Sequence, residues 1–509
     1  MSSPVPAGSV PPSAVLGIGE RLTEAPSERL IAVAFARELQ AQQGLTKAMG
    51  WVDLAHTITL AEGGIIPRDS AHALIAALCA LNAAPLSFAP AAEYGDLYTN
   101  REAWLGERTS AVGWLGAGRA RREALTTAYH LVLCEQLLDL GSALAAAAEA
   151  LIVASVRYRD SLMPDYTYLQ AAQPTTFGHY LQTFAWPILR DLDRLWGLYG
   201  RVDHCPAGIG SSNGAVIMQN RQALSDRLGF RAPVRHARDA MWQADLAIEA
   251  SALAVTVAVN LDRLAEDLMI FATAEFGFVR LADRHARASK VMPHKRNPFA
   301  LSFVRAAANR LIGAQAGIAA AGRTPSGQMD NRLFVYEAAP DAVRLAGEIA
   351  LLSAECVESL TFGETHALAA LNDRSVCASD LVERLMAATG IDYRAAHGVV
   401  GGLVQALEEN GRTLAKVTAD DLRTALTTAN HLSVCVTEDL IASALNPSAC
   451  VSARKDVGGA APEEVTAMSE ALAAAIGEHR HRVEAARTHR DGVLFRLLAE
   501  AEKFLRDTS

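Results

Sequence analysis

The stretch LAIEASALAVTVAVNLDRLAEDLMIF (246–271) decides the fold, because it is apolar almost all the way round for about six helical turns. A helix without a polar face must be buried among neighbouring helices. Those neighbours are predicted by four further long periodic segments. With the segment over 243–276 that contains this stretch, they lie at 122–159, 175–202, 298–322 and 335–361. The sequence therefore predicts an all-α protein built on a central bundle of long helices.

The composition of the 509-residue chain agrees with this prediction, because 50% of its residues are apolar and only 6% are aromatic. Alanine and leucine lose little on entering a helix, whereas residues that favour strands are scarce. The net charge of −9 is spread along the chain without a long basic run, so we expect no nucleic acid partner. The most apolar stretch, near 142–156, carries Glu149 and is interpreted as a core helix, so we expect no membrane span.

The seven cysteines are dispersed and never form a CxxC pair, which indicates reduced thiols in a cytoplasmic protein. Residues 1–15 are rich in serine and proline and lack the charged and apolar regions of a secretory signal. We therefore expect a cytoplasmic protein that begins with a disordered tail over 1–24.

Changes in helix length and in the placement of glycine and proline predict three folded regions. A domain of shorter helices covers 25–121, and the central bundle covers 122–370, with an irregular loop at 285–298. Shorter amphipathic helices return over 371–509 and form a C-terminal domain. Polar connections at the ends of rigid helices are where chemistry is usually placed, which draws attention to the loop.

The loop reads SKVMPHKRNP (289–298) and stands directly before a long helix. Asn297 is a good N-cap and Pro298 suits the first helical position, so the helix start and Lys295 together form a site for a carboxylate. Ser289 is a candidate proton acceptor if neighbouring cations stabilise its alkoxide. The alternative is that this is only a basic, proline-containing loop that caps a helix.

The loop resembles the SSxMPxKxNP signature of the fumarase/aspartase superfamily, and the resemblance to argininosuccinate lyases within it covers about 25–480. Its other segments include VDLAHTITLAEGGIIPRDSAHALIAAL (52–78), DLYTNREAWLGERTSAVGWLGAGRARRE (96–123), MPDYTYLQAAQP (163–174) and VGGAAPEEV (457–465). The resemblance implies a three-domain all-α fold whose central helices form a twenty-helix core in a homotetramer. It also implies active sites built from segments near 118–122, 165–176 and 288–297 of three different subunits.

Residue by residue, the resemblance implies that Ser289 is the base that removes the β-proton. Lys295 and Asn297 match the residues that hold the substrate carboxylate and stabilise the intermediate. Thr167 matches the threonine that contacts the departing fumarate, and Gln170 lies in the same stretch. The implied substrate is a small molecule that contains a dicarboxylate, and the chemistry requires neither a metal nor an organic cofactor.

Several substrate-facing positions depart from the family pattern. Tyr168 stands where argininosuccinate lyases have histidine, and it is interpreted either as a general acid or as a residue that only fills the space. Arg122 replaces an asparagine and, with Arg121, is a candidate for binding a carboxylate. Asn331 and Arg332 keep their type and are expected to line the pocket.

These departures predict a lyase that forms fumarate and an amine from an N-substituted aspartate or a similar succinyl compound, reversibly, with argininosuccinate an unlikely substrate. Two alternatives stay open. The first is a helical tetramer that has lost catalysis and serves a structural or regulatory role. The second is a superfamily enzyme that expels a non-amine group such as nitrite or performs a cycloisomerisation.

Overall fold

A computed structural model describes residues 24–217, 219–325, 332–431 and 436–507. These residues are predominantly helical, and the only strands among them are two to seven residues long, so the predicted all-α fold is confirmed. Except for its last residue, the tail predicted over 1–24 lies outside the described residues, as does Asn331.

The helices are numbered in chain order. They are α1 (Glu28–Leu30 and Ala36–Gln42, joined by the π-helical stretch Ile31–Phe35), α2 (Thr46–Glu62), α3 (Arg68–Ala83), α4 (Leu97–Gly106), α5 (Arg121–Arg157), α6 (Phe177–Val202), α7 (Arg221–Arg227), α8 (Ala237–Met241), α9 (Ala244–Phe271), α10 (Phe299–Ala321), α11 (Val335–Ser359), α12 (Glu364–Ala369), α13 (Ala378–Thr389), α14 (Tyr393–Glu409), α15 (Ala419–Thr428), α16 (Glu438–Ala444), α17 (Pro447–Ser452) and α18 (Pro462–Arg506).

The strands form four two-stranded pairs. They are β1 (Leu162–Thr167) with β2 (Gln170–Thr176), β3 (His204–Cys205) with β4 (Ala232–Pro233), β5 (Val279–Arg280) with β8 (Thr361–Phe362), and β6 (Arg287–Ala288) with β7 (Arg296–Asn297). All but the β3–β4 pair are antiparallel. Each pair braces a connection between helices, and the described residues contain no larger sheet.

The five long helices predicted from periodicity are α5, α6, α9, α10 and α11, and each bound lies within about five residues of the predicted one. Side-chain pairs show how they run. Near the start of α9, Glu249 pairs with Arg201 near the end of α6, and near the end of α9, Asp267 accepts a hydrogen bond from Tyr180 near the start of α6. Helices α6 and α9 are therefore antiparallel.

Helices α5 and α11 run in the same direction. The Tyr336 hydroxyl of α11 lies 3.2 Å from the Thr126 hydroxyl near the start of α5, and Arg157 at the end of α5 donates to the Glu358 carbonyl near the end of α11 at 3.5 Å. The bundle thus has two ends. We call the end with the starts of α5 and α11 the arginine end, because Arg121, Arg122 and Arg332 lie there. We call the opposite end, where α5 leads into the β1–β2 hairpin, the hairpin end.

Helices α5 and α9 are long and apolar enough to cross a membrane by length and composition alone. Their most apolar windows are 72% and 50% buried within the bundle, respectively. Packing against neighbouring helices therefore accounts for the apolar character of α5, as expected for a core helix. Helix α9 keeps a larger exposed part, which includes Val259.

The predicted C-terminal region over 371–509 is divided between two hydrophobic cores. Residues 371–450 enclose a core of their own, in which Leu381 and Leu422 are fully buried. Helix α18 instead joins the central core, where its Leu472 and Leu497 are buried. Its Arg490 pairs with Asp203 at the end of α6 at 3.2 Å. The C-terminal domain proper therefore ends before α18, which returns along the bundle.

A buried group of charges fixes the N-terminal domain against the start of α5. Asp53 of α2 accepts from Arg101 Nε of α4 at 2.8 Å and from Arg119 Nη2 at 2.9 Å, and all three side chains are almost completely buried. The Arg119 guanidinium also lies over the Tyr98 ring, 5.2 Å from its centroid. Gly118, with φ +62, lies in the turn that leads through Arg119 into α5, a backbone conformation that favours glycine.

We expect Asp53→Ala to lower the free energy of unfolding by about 3–5 kcal/mol, because two buried guanidinium groups would lose their shared carboxylate. Urea denaturation followed by circular dichroism measures the change. The control is Asp160→Ala, which removes an exposed carboxylate paired only with exposed Arg159, and exposed pairs contribute little. Equal stability of the two variants would show that the buried group does not anchor the domain.

Candidate active site

The loop that resembles the lyase signature is a short hairpin at the hairpin end of the bundle. Strands β6 and β7 pair Arg287 with Asn297 and Ala288 with Arg296, so residues 289–295 form the connecting turn. The Ser289 amide donates to the Lys295 carbonyl at 3.4 Å and closes this turn. The predicted base and the predicted cation are thereby neighbours across the base of one turn.

The side chain of Ser289 is held by the backbone of its own turn. Its Oγ accepts hydrogen bonds from the amides of Met292 at 2.9 Å and Val291 at 3.3 Å. Serine commonly forms such local bonds in turns, and here they place two N–H dipoles on the oxygen. Donors directed at an oxygen stabilise negative charge on it, so the turn lowers the free-energy cost of forming an alkoxide at Ser289.

The predicted capping role of Asn297 is wrong. Asn297 is the last residue of β7, and its Nδ2 donates to the Arg287 carbonyl at 3.0 Å. Pro298 takes the cap position, Phe299 begins α10, and the Pro298 carbonyl accepts from the Ser302 amide at 3.1 Å. The side chain and the backbone of Asn297 are both engaged with Arg287 in the strand pair, so Asn297 does not cap the helix, which starts one residue later than predicted.

Lys295 is exposed, and within the described residues its side chain makes no ion pair. The charge of the neighbouring Arg296 is instead neutralised by Asp283. Arg287 lies over the Phe299 ring, 4.8 Å from its centroid. Lys295 is therefore a cation of this loop that remains available to an anionic ligand.

The β1–β2 hairpin carries Thr167, Tyr168 and Gln170 at its tip. Thr167 pairs with Gln170, and Tyr168 and Leu169 form the two-residue connection with φ of +54 and +57. Residues other than glycine rarely adopt this left-handed backbone conformation, although two-residue hairpin connections require it. Tyr168 is 100% exposed and Leu169 62% exposed. The tip thus projects its side chains away from the rest of the chain.

The hairpin and the loop lie at the same end of the bundle. Tyr166 of β1 packs against Phe271 at the end of α9 and against Phe276 and Phe278 in the segment that leads to the loop, with centroids 5.4–6.2 Å apart. Gln173 of β2 donates to the Ser379 hydroxyl of the C-terminal domain at 3.3 Å. Tyr168 and Ser289 therefore belong to neighbouring parts of the hairpin end.

The predicted arginines lie at the opposite end of the bundle. Arg332 is buried, and its Nη1 donates to the Met241 carbonyl at 3.0 Å and to the Thr126 hydroxyl at 3.2 Å. Arg121 is exposed and pairs with the buried Asp96 at 3.3 Å. Arg122 is exposed one residue further along α5. Asn331 was predicted beside them but lies outside the described residues.

A glycine-rich loop is tied to the same end by Glu123. Its Oε1 accepts from the Gly208 amide at 2.6 Å, and its Oε2 accepts from the Ser211 amide at 3.4 Å. Burial raises the pKa of Glu123, while these amides and the charge of Arg119 oppose the rise. The first turn of α5 therefore carries both the exposed arginines and the anchor of this loop.

Glu38 and Gln42 were not among the predicted site residues, and they also lie at the arginine end. Gln42 Nε2 donates to Glu38 Oε1 at 3.3 Å, and Gln42 Oε1 accepts from the Leu97 amide at 2.9 Å. Burial raises the pKa of Glu38, as does the charge of Asp96, while the charges of Arg121 and Arg122 lower it. Residues four apart lie on the same face of a helix, and the leucine next to Glu38 is apolar enough to be buried. This pattern in the sequence could have identified Glu38 and Gln42 as a polar pair close to the core.

The distance between the two ends prevents one chain from uniting these groups. Helix α5 has 37 residues, and at 1.5 Å per residue it spans about 55 Å from Arg121 to Arg157. Four residues separate the end of α5 from the start of the hairpin. Among the described residues, no group of three or more histidine, cysteine, aspartate or glutamate side chains is placed to bind a metal ion.

Known proteins resemble this chain in sequence and in fold. Residues 93–313 match the family described as Lyase, and residues 376–452 match that described as Argininosuccinate lyase C-terminal. An argininosuccinate lyase of Methanothrix thermoacetophila is 31% identical over 459 residues, which cover 89% of this chain and 92% of that protein. One of Halorhodospira halophila is 32% identical over 422 residues, with coverage of 82% and 89%.

Among solved structures, EDDS lyase in complex with formate is similar to this chain with a TM-score of 0.84 and 25% sequence identity. The similarity covers 95% of this chain and 97% of that one. It therefore includes the bundle, the hairpin and the C-terminal domain. The chain belongs to the argininosuccinate lyase family within the fumarase/aspartase superfamily, and its relatives make it an enzyme of the carbon–nitrogen lyase kind.

Proposed function

We propose that this chain reversibly eliminates an amine from an N-substituted aspartate and releases fumarate. The observation that carries the proposal is the Ser289 turn, in which two amides donate to the Oγ of a serine beside the available cation Lys295. A proton acceptor next to a carboxylate site is what elimination from a succinyl compound requires. A similar solved structure, an EDDS lyase variant, contains bound fumarate, which supports the same product.

In the first step, Ser289 removes a proton from the carbon next to a substrate carboxylate. The negative charge that develops on this carboxylate is stabilised by the Lys295 ammonium and by the Asn297 side chain, so both groups act on the intermediate. The carbon–nitrogen bond then breaks, and the electron pair left on the deprotonated carbon forms the carbon–carbon double bond of fumarate. The electron pair of the broken bond leaves with the nitrogen, which must gain a proton.

We assign that proton to Tyr168. A phenol and an alkylammonium ion are acids of similar strength, so a tyrosine is matched to a departing amine. The position of Tyr168 at the hairpin tip directs the hydroxyl away from its own chain. Thr167 and Gln170, which flank the tip, are assigned to fumarate binding.

The arginine end supplies the remaining substrate contacts. Arg121 and Arg122 are exposed guanidinium groups suited to bidentate binding of a carboxylate. Arg332 is committed to the Thr126 hydroxyl and the Met241 carbonyl, so we assign it to shaping the pocket. Replacement of the family's asparagine by Arg122 and of its histidine by Tyr168 makes argininosuccinate an unlikely substrate.

The assembled site requires more than one copy of the chain. Within one chain, the arginine end and the hairpin end of the bundle are about 55 Å apart, whereas catalytic groups must lie within hydrogen-bonding reach of one substrate. Antiparallel packing of bundles in a homotetramer would bring the hairpin end of one copy to the arginine end of another. The partly exposed apolar window of α9 is a suitable surface for such packing. We therefore propose a homotetramer with active sites shared between subunits.

We expect the purified protein to release fumarate from at least one member of a panel of N-substituted aspartates, and far more slowly from argininosuccinate. Ser289→Ala should lower kcat by about 10³-fold, because the proton acceptor is lost. Fumarate absorbance measures the rate. The matched control is Ser302→Ala, a serine on the adjoining helix that bonds only to the Pro298 carbonyl and the Met269 sulfur. Full activity of Ser289→Ala would contradict its role as base.

We expect Tyr168→Phe to lower kcat by about 10²-fold for amines of high basicity and less for weakly basic amines, because only a strongly basic leaving group needs a proton during bond breaking. The measurement is kcat across substrates whose leaving amines differ in pKa. Tyr166→Phe is the control, since Tyr166 lies on the same hairpin but its ring packs against Phe276, outside the hairpin. An equal loss for all substrates would indicate that Tyr168 only fills space.

We expect activity to reappear when Ser289→Ala and Arg122→Ala tetramers are dissociated, mixed and reassembled. If each site takes these residues from different subunits, an equal mixture restores roughly a quarter of the sites. Each variant reassembled alone is the control. A mixture as inactive as its components would mean that both residues of a site come from one chain.

A further inference from the structure

We infer that Glu38 determines substrate specificity by binding a second, positively charged amino group on the departing amine. This inference rests on the proposed lyase function and extends it to a substrate class. The enzyme would act on aspartates whose nitrogen carries an aminoalkyl chain, protonated at its far end. The Glu38 carboxylate would neutralise the charge of this terminal ammonium group, and Gln42 would orient the carboxylate.

The first support is the incomplete pairing of the Glu38 carboxylate. The side chain is half-buried, yet within the described residues it forms no ion pair and only one hydrogen bond, a long one from Gln42 at 3.3 Å. Carboxylates withdrawn from water are normally compensated by close donors. Nearby Asp96 is compensated in this way by Arg121 and by the amide and hydroxyl of Thr99. Glu38 therefore keeps capacity for a cation.

The second support is the position of Glu38 among residues assigned to substrate binding. The charges of Arg121 and Arg122 lower the pKa of Glu38, and the charge of Glu38 raises the pKa of the buried Tyr336 in the first turn of α11. Helix α1, which carries Glu38, packs against α11. The carboxylate therefore belongs to the arginine end and not to a separate surface.

The third support is the electrostatic requirement of a dicarboxylate site. A carboxylate beside arginines that bind anionic substrate groups repels those same groups, so it weakens binding unless the ligand also presents a cation. A substrate whose leaving amine ends in an ammonium group meets this requirement. A leaving amine with a neutral alkyl chain of the same length does not. The site thus discriminates by charge at a point remote from the bond that breaks.

The test compares N-(3-aminopropyl)aspartate with its nearly isosteric neutral analogue N-butylaspartate. We expect the protein to prefer the charged substrate by at least tenfold in kcat/KM, and Glu38→Gln to abolish the preference by slowing the charged substrate alone. The glutamine oxygen can still accept the bond from Gln42, so the fold is expected to be unchanged. Glu28→Gln, at the exposed start of the same helix, is the control and should keep the preference.

Calorimetric binding in the Ser289→Ala background separates this inference from the proposed function. If the unsubstituted protein releases no fumarate from these two compounds or from the wider panel, but the charged compound binds more tightly and only when Glu38 is present, the proposed elimination is overturned and the Glu38 assignment stands. If fumarate is released from both compounds and Glu38→Gln changes neither preference nor binding, the Glu38 assignment is overturned. Equal binding of both compounds overturns it whether or not turnover occurs.

Discussion

The unbroken length of α5 is the constraint on which the rest of the structure depends. Its interior backbone hydrogen bonds are satisfied within the helix, so 37 residues can cross the whole core without an intervening loop. Polar connections are thereby confined to the two ends, about 55 Å apart. Chemistry that needs groups from both ends must be assembled between chains, and the length of one helix sets that requirement.

The exposed side chains at the hairpin end agree with this requirement. Tyr168, Leu169 and Val291 are large apolar side chains that lie largely in solvent on the isolated chain, and two of them occupy left-handed backbone. An exposed aromatic ring at a hairpin tip is typical of a surface that binds a ligand or another protein. This exposure is consistent with the proposed homotetramer, in which a neighbouring subunit would cover the tip.

The sequence was sufficient to predict the long helices, because burial imposes a periodic pattern that persists over many turns. Ser289 and Lys295 were predicted as site residues from a short motif whose members are neighbours in the chain, and the structure places them in one turn. The capping role of Asn297 was predicted wrongly, since local preference for a cap gave way to strand pairing with Arg287. The return of α18 to the central core was also missed, because the partner that a helix packs against is not encoded in its own periodicity.

Glu38 escaped prediction for a related reason, since more than eighty residues of chain separate it from Arg121 and only the fold places them together. Its presence changes how the arginines are interpreted. Two adjacent guanidinium groups without a counter-charge would favour any polyanion, whereas a half-buried carboxylate beside them penalises ligands that carry negative charge alone. A ligand that fits the arginine end must therefore present both signs of charge, and the pocket selects by the arrangement of charges more than by their sum.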